Sequence, residues 1–254
     1  MKLKAKTCFH TPAGKLWLGD CLKVMSNDIE PGSVDMVFAD LPYGTTRNKW
    51  DSVIDLEDLW ARLRMICKPE APMVFTAAQP FTAALIMSNP AEFKVEWIWQ
   101  KERGTGYLNA KKQPLRNHES VLVFYRKPPV YRPQMLQGFA PYKMKADKQS
   151  SNYGKRGPVV SESNGERYPV TCPLSFSRDR VPRGTGHPTQ KPERLVKYFI
   201  RTYSRKGDLI FDPTFGSATT AVAAFKLGRR FAGCEQNRDY FFRAMERIEE
   251  TCNA

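Results

Sequence analysis

Two stretches of this chain alternate short apolar runs with helix-like patterns, and three of the runs stop at an acidic residue. In the first stretch, from about Lys15 to Tyr125, apolar runs occupy Val34 to Asp40, Pro72 to Ala77, Val95 to Gln100 and Ser120 to Arg126. Helical spacing falls at Leu56 to Ile66 and Phe81 to Met87. The second stretch begins near Pro192, with a helix over Glu193 to Tyr203 and a strand over Asp208 to Asp212. A small-residue helix (Ser217 to Leu227), a strand (Arg229 to Glu235) and a closing helix (Arg238 to Glu250) complete it. Short buried runs alternating with helices predict an α/β fold, a largely parallel sheet with helices on both faces.

Between these stretches, Lys127 to Gly186, the periodicity disappears. Eleven basic residues stand there against four acidic ones, a net +7 that is half of the chain's +14. Aromatic residues such as Tyr131, Tyr142, Tyr153 and Tyr168 are interleaved with the charges. Basic residues mixed with aromatics suit a nucleic-acid contact surface, the other reading being a solvated loop. The expected division is therefore 1–126, an insertion over 127–186, and 187–254. The six cysteines are scattered without a C-x-x-C pair and only three histidines exist, so no metal site or disulfide framework is expected. No run approaches transmembrane length, and the N-terminal residues lack the apolar core of a signal peptide, so a cytoplasmic protein away from membranes is expected.

Two strand ends carry the chemistry. In Phe211-Asp212-Pro213-Thr214-Phe215-Gly216-Ser217 a strand ends, the chain turns at Gly216 and a helix follows. Such a turn brings backbone N–H groups close to a ligand. About twenty residues on, a second strand ends at Glu235, where an acid can bond ribose hydroxyls. An ordinary βαβ turn with a surface Glu235 is the plainer reading, and a nicotinamide dinucleotide site would need more glycines. The other strand end is Asp40-Leu41-Pro42-Tyr43. Asp40 can accept a hydrogen bond from an exocyclic amine, the Leu41 carbonyl can accept the second, and Tyr43 can stack on a base.

Together these segments resemble the DNA N6-adenine and N4-cytosine methyltransferases in their permuted, beta-group order. Asp40 to Tyr43 is similar to that family's Asp-Pro-Pro-Tyr motif, and Phe211 to Thr220 to its Asp-Pro-Phe-x-Gly-Ser-Gly-Thr-Thr motif. His187 to Pro192 matches its His-Pro-Thr-Gln-Lys-Pro motif letter for letter, and Gly19-Asp20-Cys21 resembles a segment at the cofactor's adenine end. Trp99 to Lys101 and Asn117 to Glu119 resemble its later segments on the catalytic face. The resemblance covers nearly everything outside the insertion.

The resemblance implies a Rossmann-like methyltransferase fold with a seven-stranded sheet, S-adenosylmethionine as cofactor, and double-stranded DNA as partner. It leaves a homodimer open. It assigns Asp40, Leu41, Pro42 and Tyr43 to catalysis. It assigns Asp20, Cys21, His187, Thr189, Lys191, Asp212, Phe215, Gly216, Ser217 and Glu235 to the cofactor. Asp at position 40 favours adenine N6 over cytosine N4, and a catalytically silent DNA-binding protein of the same fold is a further alternative. DNA contacts are expected from Lys143, Lys145, Lys148, Lys155 and Arg156 in a target-recognition insertion. Lys49 and Trp50 are further candidates, a structural role for Trp50 being the other reading. Two positions depart from the family pattern. Leu41 replaces a Pro, which keeps the carbonyl and loses only rigidity. Ala218 replaces a Gly, in what reads as the first turn of a helix, where Ala is conformationally acceptable.

Overall fold

A computed structural model of the chain describes residues 8–44, 52–146, 159–177 and 190–253. The eleven strands among them are β1 (Cys8–Thr11), β2 (Gly14–Leu18), β3 (Met36–Asp40), β4 (Met73–Ala77), β5 (Phe93–Thr105), β6 (Arg116–Phe124), β7 (Tyr142–Ala146), β8 (Val159–Ser163), β9 (Leu174–Ser175), β10 (Leu209–Asp212) and β11 (Arg230–Glu235). The helices are α1 (Cys21–Asn27), α2 (Leu56–Ile66), α3 (Phe81–Ser88), α4 (Glu193–Tyr203), α5 (Thr219–Lys226) and α6 (Arg238–Asn253). By contacts the chain forms two compact units, residues 1–131 with 171–254, and residues 132–170.

The first unit is built on a nine-stranded sheet in the order β1-β2-β11-β10-β3-β4-β6-β5-β9. Within it β1 and β6 run against their neighbours, and every other pairing is parallel. The expected α/β class is the observed one, but with two strands more than seven. β1, hairpinned onto β2, is the added strand at one edge and β9 the added strand at the other. Neither shows a long apolar run. The hairpin is closed by a side chain, the Thr11 hydroxyl accepting from the N–H groups of Ala13 and Gly14 at 3.2 and 3.0 Å. β9 is two residues long and pairs with Trp99 and Gln100 of β5.

Alternate residues of each central strand feed two separate cores, as the two-residue period of a strand requires. Met36 and Phe38 of β3 point into one core with the apolar faces of α4, α5 and α6, while Val37 and Ala39 point into the other with α1, α2 and α3. Both faces are thus covered, which is why these strands read as continuous apolar runs. In α2 the spacing Leu59, Trp60, Leu63 and Ile66 buries one stripe, and Asp55 caps the helix by accepting from the Asp58 N–H at 2.9 Å. Trp60 meets its polar obligation through Ser88 of α3, 2.8 Å away. Among the described residues no helix is long and apolar enough to cross a membrane.

The second unit holds the antiparallel pair β7–β8, with Tyr142 opposite Ser163 and Lys145 opposite Val160. Arg167 ties it together: its guanidinium lies 4.5 Å from the Tyr142 ring centre and 5.3 Å from that of Phe139. This part of the insertion is therefore regular, against the expectation of an aperiodic segment. β7 does alternate, Tyr142 and Met144 on one face and Lys143 and Lys145 on the other, but it is only five residues long and β8 sets Val160 beside Glu162 on one face, so neither stands out from its irregular surroundings.

Candidate active site

Parallel pairing of β10 with both β3 and β11 brings three strand ends to one edge of the sheet. Those ends are Asp40, Asp212 and Glu235, and they border a cavity of about 650 Å³. A ligand crevice outside the carboxyl ends of the strands is where open α/β sheets hold small molecules.

Asp40 is the most heavily bonded of the three. Its Oδ1 accepts from the Tyr43 hydroxyl at 2.8 Å and from Thr76 Oγ1 at 2.5 Å, and its Oδ2 accepts from Lys191 Nζ at 2.7 Å. Its backbone oxygen accepts from the Thr214 hydroxyl at 3.1 Å, joining the two strand ends. Lys191 also pairs with Glu119 at 3.3 Å, and Glu119 is clamped from the other side by Lys101. Burial alone would lower the Lys191 pKa, but Asp40 and Glu119 outweigh it and hold the ammonium above its ordinary value. Tyr43 is raised well above the usual phenol range, first by burial and then by Asp40 and Glu119, so it remains a donor. One face of its ring stacks on Phe81, with centroids 5.2 Å apart and planes 22° apart, and Lys191 Nζ lies 5.6 Å from the ring centre. Leu41 is buried with Val37 and Ala39 in the α1–α3 core, so the side chain that replaces Pro contributes packing.

On the other side of the cavity, Glu235 is fixed by backbone. Its Oε2 accepts from the Gly216 N–H at 3.0 Å and its Oε1 from the Asn237 N–H at 2.7 Å. Burial raises its pKa and those two N–H groups pull it back. Gly216 has φ 51°, the left-handed region that the turn requires. Asp212 is buried, with Oδ1 accepting from the Thr214 N–H at 3.0 Å and Oδ2 from the Thr220 hydroxyl at 2.6 Å. Burial pushes its carboxyl up to about 7 against those two bonds. Asp20 caps α1 through the Lys23 N–H at 3.1 Å, and Gly19 before it donates to the Glu235 carbonyl at 2.9 Å. Cys21 is buried, which pushes its thiol up to about 12. Phe215 packs on Phe241 with centroids 6.1 Å apart while bordering the cavity, and Ser217 accepts from Arg247 at 2.7 Å through its carbonyl.

Ala218 overturns its expectation. The helix expected from Ser217 starts two residues later, at Thr219, and Ala218 is left as the N-cap with φ 56° and ψ 30°. In that left-handed conformation a Cβ crowds the following carbonyl, at a cost of about 1–2 kcal/mol. The position is held by its N–H bond to Phe215 at 2.8 Å and by the Val222 N–H on its carbonyl at 3.0 Å.

The structure thus brings Asp40, Leu41, Pro42, Tyr43, Asp20, Cys21, Lys191, Asp212, Phe215, Gly216, Ser217 and Glu235 to one cavity. Lys191, expected among the cofactor residues, is bonded to Asp40. Lys49, Trp50, Lys148, Lys155, Arg156, His187 and Thr189 lie outside the described residues. In the second unit Lys143 pairs with Glu162 at 3.1 Å across the β7–β8 pair, and Lys145 lies on the same strand. Thr76 and Phe81 went unread in the sequence. The signal for Thr76 is its register opposite Asp40, which needs the β3–β4 pairing to be known. Among the described residues no three His, Cys, Asp or Glu side chains converge as a metal site.

The sequence profile of the DNA methylase family, N6/N4 type, matches residues 34–246. The chain is 26% identical over 256 residues to the type II methyltransferase M2.DpnII of Streptococcus pneumoniae, covering 91% of this chain and 87% of the relative. It is 28% identical over 261 residues to the DNA adenine methyltransferase YhdJ of Escherichia coli (strain K12), covering 97% and 83%. The fold is shared with M1.HpyAVI in complex with SAM, at TM-score 0.62 and 20% identity over 92% of this chain and 98% of the other. It is shared also with the PvuII cytosine-N4-specific DNA methyltransferase, at TM-score 0.65 and 15% identity over 96% and 92%.

Proposed function

This chain belongs to the N6/N4 DNA methylase family, the S-adenosylmethionine-dependent DNA methyltransferases, and from that premise we propose that it methylates the exocyclic N6 of an adenine turned out of double-stranded DNA. The observation that carries the reading is the bonding of Asp40. A carboxylate offers about four acceptor sites. Tyr43, Thr76 and Lys191 fill three of them and fix the orientation, which leaves one on Oδ2 for an amine N–H. The Leu41 carbonyl is the partner for the second N–H. Held so, the amine nitrogen is turned toward the cofactor side of the cavity, and alignment is the main task of such a site. Stacking on Tyr43, itself backed by Phe81, offsets part of the few kcal/mol that unstacking a base costs.

The opposite side of the cavity fits S-adenosylmethionine. Its size lies within the range of cofactor pockets. Glu235 faces it with both oxygens oriented by backbone N–H groups and each able to accept once more, as ribose hydroxyls require. Gly216 and Ser217 pass beside it, with Asp20, Cys21 and Phe215 on the remaining walls. Bound there, the cofactor supplies an electrophilic methyl on a sulfonium. The carboxylates of Asp40 and Glu235 on the cavity wall suit a cation. The insertion, with Lys143 and Lys145 on its described strand, is proposed to carry target recognition and phosphate contacts together with Lys148, Lys155 and Arg156. Lys49 and Trp50 are proposed to contact DNA beside the catalytic strand.

Two measurements test this. Nucleoside analysis of DNA methylated by the protein should find N6-methyladenine, and N4-methylcytosine in its place would overturn the adenine assignment. Asp40→Ala should abolish methyl transfer while calorimetry shows cofactor binding retained. Turnover near wild type in that variant would remove Asp40 from the mechanism.

A further inference from the structure

β5 and β6 continue together beyond the sheet. Their ladder shifts register between Phe93 and Val95, is regular from Val95 to Gln100, breaks, and closes again at Thr105 opposite Arg116. Their other neighbours have stopped by then: β4 ends against Ser120 and β9 against Gln100. Residues 101–118 are left projecting from the sheet as a loosely paired ribbon, whose strands are joined by a loop over 106–115 that opens with a 3₁₀ turn at Tyr107–Asn109 and turns again through Gln113. Its base borders the cavity through Lys101, Thr105, Arg116 and His118.

The composition of the ribbon is one-sided. Lys101, Arg103, Lys111, Lys112 and Arg116 stand against Glu102 alone, and no acidic residue occurs from Arg103 to His118. Where the loop opens, Tyr107 is 75% exposed and Leu108 is 85% exposed. Single exposed apolar side chains are ordinary. An adjacent aromatic and aliphatic pair on the loop of a basic projection is a different matter, because the cations favour a polyanion while the pair needs an apolar cover. Between base steps a duplex offers both at once. The reach agrees as well. The chain coils directly after Thr105, through left-handed Gly106 into the 3₁₀ turn, so Tyr107 and Leu108 stand two and three residues from a side chain that borders the cavity.

We propose that this ribbon is a DNA-entry element, with Tyr107 and Leu108 wedging into the duplex beside the target nucleotide and Lys111 and Lys112 holding the adjacent phosphates. The proposal rests on the reading above that the substrate is duplex DNA with an extruded base. The wedge takes over stacking that the target base gives up, so its contribution is felt only where that base must be pulled from an intact stack.

The test compares methyl transfer on a synthetic duplex carrying the site, identified by sequencing the protein's own methylated plasmid, with the same duplex bearing an abasic position opposite the target. The Tyr107→Ala/Leu108→Ala double variant should lose about tenfold or more in kcat/KM on the intact duplex. On the abasic duplex, where extrusion is already favoured, it should lose at most about threefold. Lys111→Gln/Lys112→Gln should lose alike on both and show a shallower salt dependence. Equal activity of the double variant on both duplexes, or equal loss on both, overturns the wedge. A shift of the double variant from dimer to monomer in sedimentation, with the loss following the shift, makes the loop a contact between copies and overturns it too. Wild-type protein that methylates neither duplex nor plasmid would refute the underlying activity instead, so the two failures are distinct.

Discussion

Asp212→Asn tests how the cavity stores charge. The Asp212 carboxyl is 5% exposed, and burial raises its pKa from 3.8 to about 7 despite the bonds from Thr220 and Thr214, with Asp40 and Glu235 adding to the rise. A carboxyl raised on folding binds more protons in the folded chain than in the unfolded one throughout that interval. Stability therefore falls as pH rises. The contribution is fully present below about pH 4 and is lost by about pH 7, above which an ionised group sits buried. At 1.36 kcal/mol per pKa unit the whole interval is worth about 4 kcal/mol, and the part between pH 5 and pH 7 about 2–3 kcal/mol. Asparagine removes the titration and keeps the geometry: its oxygen accepts from the Thr214 N–H and its amide donates to the Thr220 hydroxyl. Urea unfolding of both proteins at pH 5 and pH 8 should show the variant gaining about 2–3 kcal/mol on the wild type between the two conditions. Groups common to both cancel in that comparison. A stability difference that stays constant with pH would refute the assignment of a raised carboxyl at Asp212.

Two further outcomes follow from the turn beside it. Ala218→Gly should stabilise the protein by about 0.5–1 kcal/mol in the same unfolding assay, because glycine adopts φ 56° without crowding; a loss of stability would show that the buried methyl outweighs the backbone. Glu235→Ala should weaken S-adenosylmethionine binding by roughly 1.5–3 kcal/mol in calorimetry, and unchanged affinity in a folded variant would leave Glu235 with only its backbone bonds to Gly216 and Asn237.

Much of the fold is legible in the sequence where one local signal decides the outcome. The helices over Leu56–Ile66 and Glu193–Tyr203 have the expected bounds, since Asp55 caps the first and Pro192 precedes the second. β3, β4, β10 and β11 are apolar on both faces and fall within a residue or two of their expected ends. β5 runs to Thr105 rather than Gln100 because its last residues follow β6 outward, and that pairing leaves no apolar trace. At Ala218 the helical pattern begins two residues upstream of the first helical residue, because a pattern of side chains does not report a backbone dihedral. In the site, Asp40, Tyr43, Gly216 and Glu235 could be picked out by their places at strand ends. The bonds from Thr76 and Lys191 to Asp40 could not, because they depend on which strands are neighbours. Lys191 lies 151 positions from the carboxylate it touches.

The strand order also sets a schedule for the nascent chain. β10 and β11 are made last, yet they lie between β2 and β3, which are made first. Until residues 209–235 leave the ribosome, the β1–β2 hairpin and the β3-β4-β6-β5 group are two fragments with facing edges open. At about 5–20 residues per second that interval lasts roughly ten to forty seconds after β3 is translated. Open apolar edges are what chaperones bind and what aggregation recruits. A transcript broken before the codon for Asp212 thus yields a polypeptide with Asp40 but without the strand that would place Thr214 beneath it.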